Sequence, residues 1–226
     1  MPFQYSAQNS VNAFAGNSHT LSVTVPSGLT NSLMVIIKDC NTTLPWTTFS
    51  NLTVNGSATG VTDIVNSGSG LANRSIRAWY LKTPPSGTYN VAANFSTSSD
   101  NGGVLTVLVF DAIDQTTPIA NTQFGSGGSV SSPIGHSALT TPSGGFGIFS
   151  ARVFNGSSLV PSVGTNAGSL GESCVSYLLD GTSTSFSWSG TNPTQASIIA
   201  FSLTPGAGGG GGGSSPVSKI LQMIGS

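Results

Sequence analysis

The chain has 226 residues, a length that suits one large β-sandwich as well as two smaller domains. With glycine counted, apolar residues make up about half of it, an ordinary globular share that permits a sizeable core. Charge departs from the ordinary: six Lys plus Arg and seven Asp plus Glu give 6% charged residues, against a usual ~25%. The net charge of −1 supplies neither the clustered cations that displace counterions from nucleic acid nor a polybasic membrane patch, and it opposes self-association only weakly.

The opening residues Met1-Pro2-Phe3-Gln4-Tyr5 carry no basic segment followed by an apolar one, so no signal peptide is expected. No apolar run approaches the roughly 18 residues of a membrane-spanning helix. Strands are expected at His19–Val25, Ser32–Cys40, Phe49–Asn55, Gly60–Asn66, Ser75–Thr83, Gly87–Phe95, Val104–Ile113, Gly145–Phe154, Cys174–Leu179, Thr184–Ser189 and Ala196–Leu203. These segments are rich in Val, Ile, Phe, Tyr and Thr, which suit a pleated, half-buried surface. Turn residues separate them, among them Pro26-Ser27-Gly28, Asn55-Gly56, Pro85-Ser86-Gly87, Pro142-Ser143-Gly144 and Asp180-Gly181. Short strands at such spacing predict an antiparallel, all-β sandwich over residues 1–205.

Leu33–Ile37, Val104–Phe110 and Ile198–Phe201 are apolar at every alternate position on both faces. A strand of a two-layer sandwich buries one face and wets the other. The second face of these three therefore needs cover from a long loop, a helix or another subunit.

Composition shifts after Pro205. Residues 206–215, with six consecutive glycines at 208–213, form a flexible tether whose r.m.s. span is about 17 Å. Residues 216–226 follow as an apolar anchor peptide. Ser215 suits a helix cap and Pro216 the first turn. Val217, Ile220, Leu221 and Ile224 then fall on one stripe of a short amphipathic helix. So short a helix is marginal in water, so the stripe is expected in a partner's groove or back on its own domain.

Catalytic groups do not converge in the sequence. The two histidines, His19 and His136, stand in no recognisable motif, and no nucleophile elbow, P-loop or zinc spacing occurs. Glycoside hydrolysis needs two carboxylates flanking the scissile bond, yet the one glutamate, Glu172, has no acidic neighbour two residues away. Asp111 and Asp114 end a strand. Asp114 opens a turn at Gln115-Thr116-Thr117-Pro118 and is expected to bond local backbone, with calcium binding by either aspartate as the rival reading. No catalytic residue, metal ligand or cofactor is expected. Trp46, after Pro45 in a loop-like stretch, is the best-placed aromatic for stacking on a sugar, with packing as the plainer role. Cys40 and Cys174 could form one disulfide or remain buried thiols; their spacing does not decide.

The run Arg77-Ala78-Trp79-Tyr80-Leu81-Lys82-Thr83-Pro84-Pro85-Ser86-Gly87-Thr88-Tyr89, the segment Asp114–Ile119 and the closing strand ending on Pro205 resemble concanavalin-like jelly-roll modules of phage structural and bacterial surface proteins. The likeness covers residues 1–205. It implies a jelly-roll sandwich used for display and transfers no ligand residue. The expectation is a non-enzymatic virion component (capsid decoration, spike, head-fibre or tail part), anchored to other particle subunits or its own copies through Val217, Ile220, Leu221 and Ile224. The alternative is a carbohydrate-binding module of a surface adhesin that contacts host glycan through Trp46.

Overall fold

A computed structural model describes residues 6–11, 17–40, 49–66, 75–96, 103–128, 134–136, 139–154, 157–162, 164–170, 172–179, 184–189 and 195–206. Among the described residues the chain is all-β and every strand pairing is antiparallel. The first half contains β1 (Ser6–Val11), β2 (Ser18–Val25), β3 (Leu33–Cys40), β4 (Phe49–Val54), β5 (Val61–Asn66), β6 (Ser75–Lys82), β7 (Gly87–Phe95) and β8 (Val104–Phe110). The second contains β9 (Ile119–Gly128), β10 (Ile134–His136), β11 (Phe146–Phe154), β12 (Ser157–Pro161), β13 (Thr165–Leu170), β14 (Ser173–Leu179), β15 (Thr184–Ser189) and β16 (Gln195–Leu203). The short helix expected over residues 216–226 lies outside the described residues.

A two-layer sandwich has two sheets; the described residues form four. Two have five strands, ordered β1-β8-β3-β6-β5 and β13-β14-β11-β16-β9, and two have three, ordered β2-β7-β4 and β10-β15-β12. Side-chain direction stacks them. On β3, Met34 and Ile36 point into a core shared with Val23 of β2 and Val91 of β7. Leu33, Val35 and Ile37 point the opposite way, into a core shared with Ile148 of β11, Val175 of β14 and Phe201 of β16. On the far side of β11, Phe149 and Ala151 join Ile134, Leu159 and Ile198 in a third core. The layers therefore run three, five, five and three strands, with the five-stranded sheets face to face in the middle.

This stacking supplies the cover that the two-faced apolar strands require. β3 and β8 are buried at every position, and β16 at all but its first residue. Their second face meets the other half of the same chain. β2 instead alternates exposed and buried along its whole length, as an outer strand with one wet face should.

The strands begin and end on two opposite faces of the molecule. Leu33 stands beside Lys82 and Phe110, and Phe146 beside Leu179 and Leu203. This end, called proximal below, also holds the 111–118 link that joins the halves. The other end, distal, holds Cys40, Val104, Phe154 and Ser173. Tight turns finish the proximal end. Gly28 and Gly144 close two of the three Pro-Ser-Gly turns with φ of 83° and 74°, in the left-handed region that glycine enters without strain. Gly145 packs so closely that a Cβ there would run into the Leu203 carbonyl oxygen.

Gly206 is bonded into the folded unit. Gly206 donates its N–H to the Ala112 carbonyl at 2.7 Å, and Asp114 donates to Thr204 at 2.9 Å. These bonds tie the end of β16 to the link that follows β8.

Candidate functional site

The densest set of ionisable groups among the described residues lies at the distal end of the shared core, where β3, β11 and β14 meet. Asp39 and Arg152 are buried, and Arg152 Nη1 stands 3.3 Å from Asp39 Oδ1. The same Asp39 oxygen accepts the Val104 N–H at 2.6 Å, while its other oxygen accepts the Ser173 hydroxyl. Arg152 Nη2 reaches Glu172 Oε2 at 3.4 Å. Both charges stand on the face that looks into the shared core, Asp39 after Leu33, Val35 and Ile37 on β3, and Arg152 after Phe146, Ile148 and the buried Ser150 on β11. A buried charge is tolerated only when paired and hydrogen-bonded, and Asp39 has three donors. The arrangement holds two sheets together.

On the other face of β3, Lys38 is fully buried. Its Nζ donates to the Asp39 carbonyl and sits 5.9 Å from the centre of the Phe95 ring. His19 is buried against the same ring, with centroids 5.1 Å apart. His19 therefore packs within the first sandwich. His136 belongs to β10, and its side chain lies outside the described residues.

The proximal aspartates hold turns. Asp111 Oδ1 accepts the N–H groups of Thr30 at 2.7 Å and Ala112 at 2.8 Å. Asp114 Oδ1 accepts those of Thr116 at 2.6 Å and Thr117 at 3.0 Å, the local backbone role expected of it. These two bonds pull the Asp114 carboxyl below its usual range, helped by Lys82 and opposed by partial desolvation. A depressed carboxyl stabilises the fold at neutral pH, and that contribution is lost as pH falls through its lowered value. Gln115 Nε2 donates to the carbonyls of Asn31 at 2.9 Å and Ile113 at 3.0 Å, and Lys82 Nζ donates to the Gln115 carbonyl at 2.6 Å. The end from which residues 207–226 continue is thus cross-braced.

Among the described residues no group of three or more His, Cys, Asp or Glu side chains has metal-binding geometry. Cys40 and Cys174 are buried thiols in different cores, not joined by a disulfide, which decides the sequence's open question. Burial pushes the Cys174 thiol up to about 12. Trp79 fills the first outer core, stacked on Phe49 at 5.4 Å. The Arg77 guanidinium lies 5.2 Å from the Phe49 ring centre and 5.3 Å from that of Trp79. Trp46 and the anchor residues Val217, Ile220, Leu221 and Ile224 lie outside the described residues.

Asp39 and Arg152 did not emerge as candidates from the sequence, although a signal was present. Asp39, beside Lys38 in β3, and Arg152 in β11 are charges inside strands rich in apolar residues on both faces; such charges have to be buried, and so need polar or opposite-charge partners.

No protein-family model, no curated protein and no solved structure matches the chain.

Proposed function

We propose that the chain is a non-enzymatic structural protein of a virion, a decoration, spike, head-fibre or tail component held in its particle by the C-terminal peptide. The observation that supports this reading is the position of Gly206. It is bonded into the braced proximal end, so the glycine tether and the stripe of Val217, Ile220, Leu221 and Ile224 continue from that end, leaving the distal end free to face outward. The strand order in each half fits the jelly-roll part of the proposal. β1-β8-β3-β6 facing β2-β7-β4 is the winding of a jelly roll, with β5 joined to β6 instead of β4.

The test is the mass in solution of the full chain against a 1–206 truncation, measured by light scattering. Anchoring between copies predicts multimers from the full chain and monomers from the truncation. Equal masses contradict it.

A second reading, a carbohydrate-binding module, draws on the outward face of β2-β7-β4. That face carries Ser22, Thr24, Thr88, Asn90 and Asn51, all exposed and uncharged. Asn94 Nδ2 bonds Asn51 Oδ1 at 2.8 Å, and the hydroxyls of Thr24 and Thr88 are 3.3 Å apart. Fixed hydroxyls and amides match the hydrogen-bonding groups of a neutral glycan. This reading predicts glycan binding by the 1–206 domain that weakens at least tenfold in Trp46→Ala with the fold intact.

A further inference from the structure

The two halves repeat each other strand for strand. Adding eight to each strand number converts the order β1-β8-β3-β6-β5 into β9-β16-β11-β14-β13, and β2-β7-β4 into β10-β15-β12, and these are the two sheets of the second half. A shared topology alone is weak evidence, because jelly-roll windings recur on unrelated sequences. The register is more specific. The trio Leu33, Lys82 and Phe110, aligned across three strands, corresponds to Phe146, Leu179 and Leu203. Counting from it, Tyr80-Leu81 falls on Tyr177-Leu178, and each tyrosine is paired with a threonine, Thr62 or Thr165.

One residue further on, both halves break register at the same place. The β5–β6 ladder shifts between Asp63 and Val65, and the β13–β14 ladder between Asn166 and Gly168. Each bulge turns its extra residue, Ile64 or Ala167, towards the shared core. Beside each bulge the same two positions interact: Arg77 with Asp63 at 2.9 Å in one half, Cys174 with Asn166 at 3.8 Å in the other. A bulge is a local, sequence-specific feature, and two independent folds would not place it identically.

The same alignment puts Asp39 and Arg152 at equivalent positions, and these two side chains meet. Equivalent residues touch each other only at a two-fold axis. The packing agrees, for β1 lies against β13 and β5 against β9, each contact being the other's counterpart. We infer that residues 6–110 and 119–203 are two copies of one module, and that the face between them is a two-fold self-association surface whose partner, a second module, is supplied in the same chain. In a symmetric pair, position 39 would face its own copy and an aspartate would meet an aspartate. Aspartate in one copy and arginine in the other makes each half prefer the other over itself.

Circular permutation of the folded unit tests this. By register Ser6, paired with Val109, is equivalent to Asn121, paired with Ser202, so the natural link between Phe110 and Asn121 has ten residues, 111–120, while residues 204–206 followed by 1–5 make eight. Two-fold equivalence means that Gly206 joined to Met1 through a two-residue Gly-Ser spacer, with the chain opened between Pro118 and Ile119, reproduces the length of the same connection. The expected result is a monomer whose Tm lies within about 5 °C of residues 1–206. An unfolded or aggregated fusion with the two-residue spacer overturns the inference, and it does so whether or not a fusion with a twelve-residue Gly/Ser spacer folds. The second measurement is the exchange Asp39→Arg with Arg152→Asp. It is expected to regain at least half of the Tm lost by Arg152→Asp alone, and an exchange as damaging as the two single changes together contradicts the two-fold axis.

Discussion

The middle and outer sheets of this protein use the same residue types in different patterns. β3 reads Leu-Met-Val-Ile-Ile and is buried throughout, whereas β2 reads His-Thr-Leu-Ser-Val-Thr-Val and alternates buried with exposed. The difference records how many layers lie above and below each strand. Hydrophobic burial scales with the apolar area removed from water, at about 25 cal/mol per Å². A middle strand gains on both faces and an outer strand on one, so the two five-stranded sheets carry most of the stability and tolerate polarity least.

The change with the largest expected effect is Val35→Asp, which puts an unpaired carboxylate into the shared core. It is predicted to cost more than about 4 kcal/mol and to unfold the protein. Thr20→Asp, on the wet face of β2, is predicted to stay within about 0.5 kcal/mol. Urea unfolding monitored by tryptophan fluorescence measures both, and equal losses would erase the distinction between middle and outer sheets.

Next comes the charged pair where the two middle sheets meet. Arg152→Met leaves Asp39 buried beside an apolar side chain and is predicted to cost about 3–5 kcal/mol. Adding Asp39→Leu is predicted to cost less than the two single losses together, with a coupling above about 1 kcal/mol. Strict additivity would show that the pair does not join the sheets.

The smallest effect at neutral pH sharpens the comparison from the third core. The Cys174 thiol is held neutral to about 12 by burial, while in the unfolded chain it ionises near its ordinary value of about 8.5. The folded state then binds the extra proton. The contribution is fully present below the ordinary thiol range and is lost as pH rises towards 12, at up to about 1.4 kcal/mol per pH unit. Cys174→Ala is predicted to unfold less steeply with alkali than the parent, and parallel curves for the two proteins would count against a sealed third core.

Among the described residues the sequence reveals every interior strand and the edges β2, β4 and β5, and conceals the other edges. Every segment expected as a strand is one. The five that were not expected, β1, β9, β10, β12 and β13, are all edge strands of their sheets. An edge strand pairs on one side only and packs less, so Ser-Ala-Gln-Asn-Ser-Val of β1 or Thr-Asn-Ala-Gly-Ser-Leu of β13 needs little β propensity of its own. The doubled apolar faces of Leu33–Ile37, Val104–Phe110 and Ile198–Phe201 predict an extra layer but do not say what it is made of. A loop, a helix, a subunit or a second half satisfies the pattern equally. The Asp39–Arg152 pair is hidden for a related reason: 113 positions separate its members, and only the stacking of the sheets brings them together. Asp114 was legible because its partners, Thr116 and Thr117, are its neighbours in the chain.

Native-state hydrogen exchange with residue resolution tests most directly whether the two halves form one body around a shared core. The account predicts that amides in β3 and β8 and those in β11 and β16 exchange only through global unfolding, with the same opening free energy, while those of β2 and β4 open earlier. Full protection of one half's middle sheet while the other exchanges would contradict it, showing two independent units in place of one core.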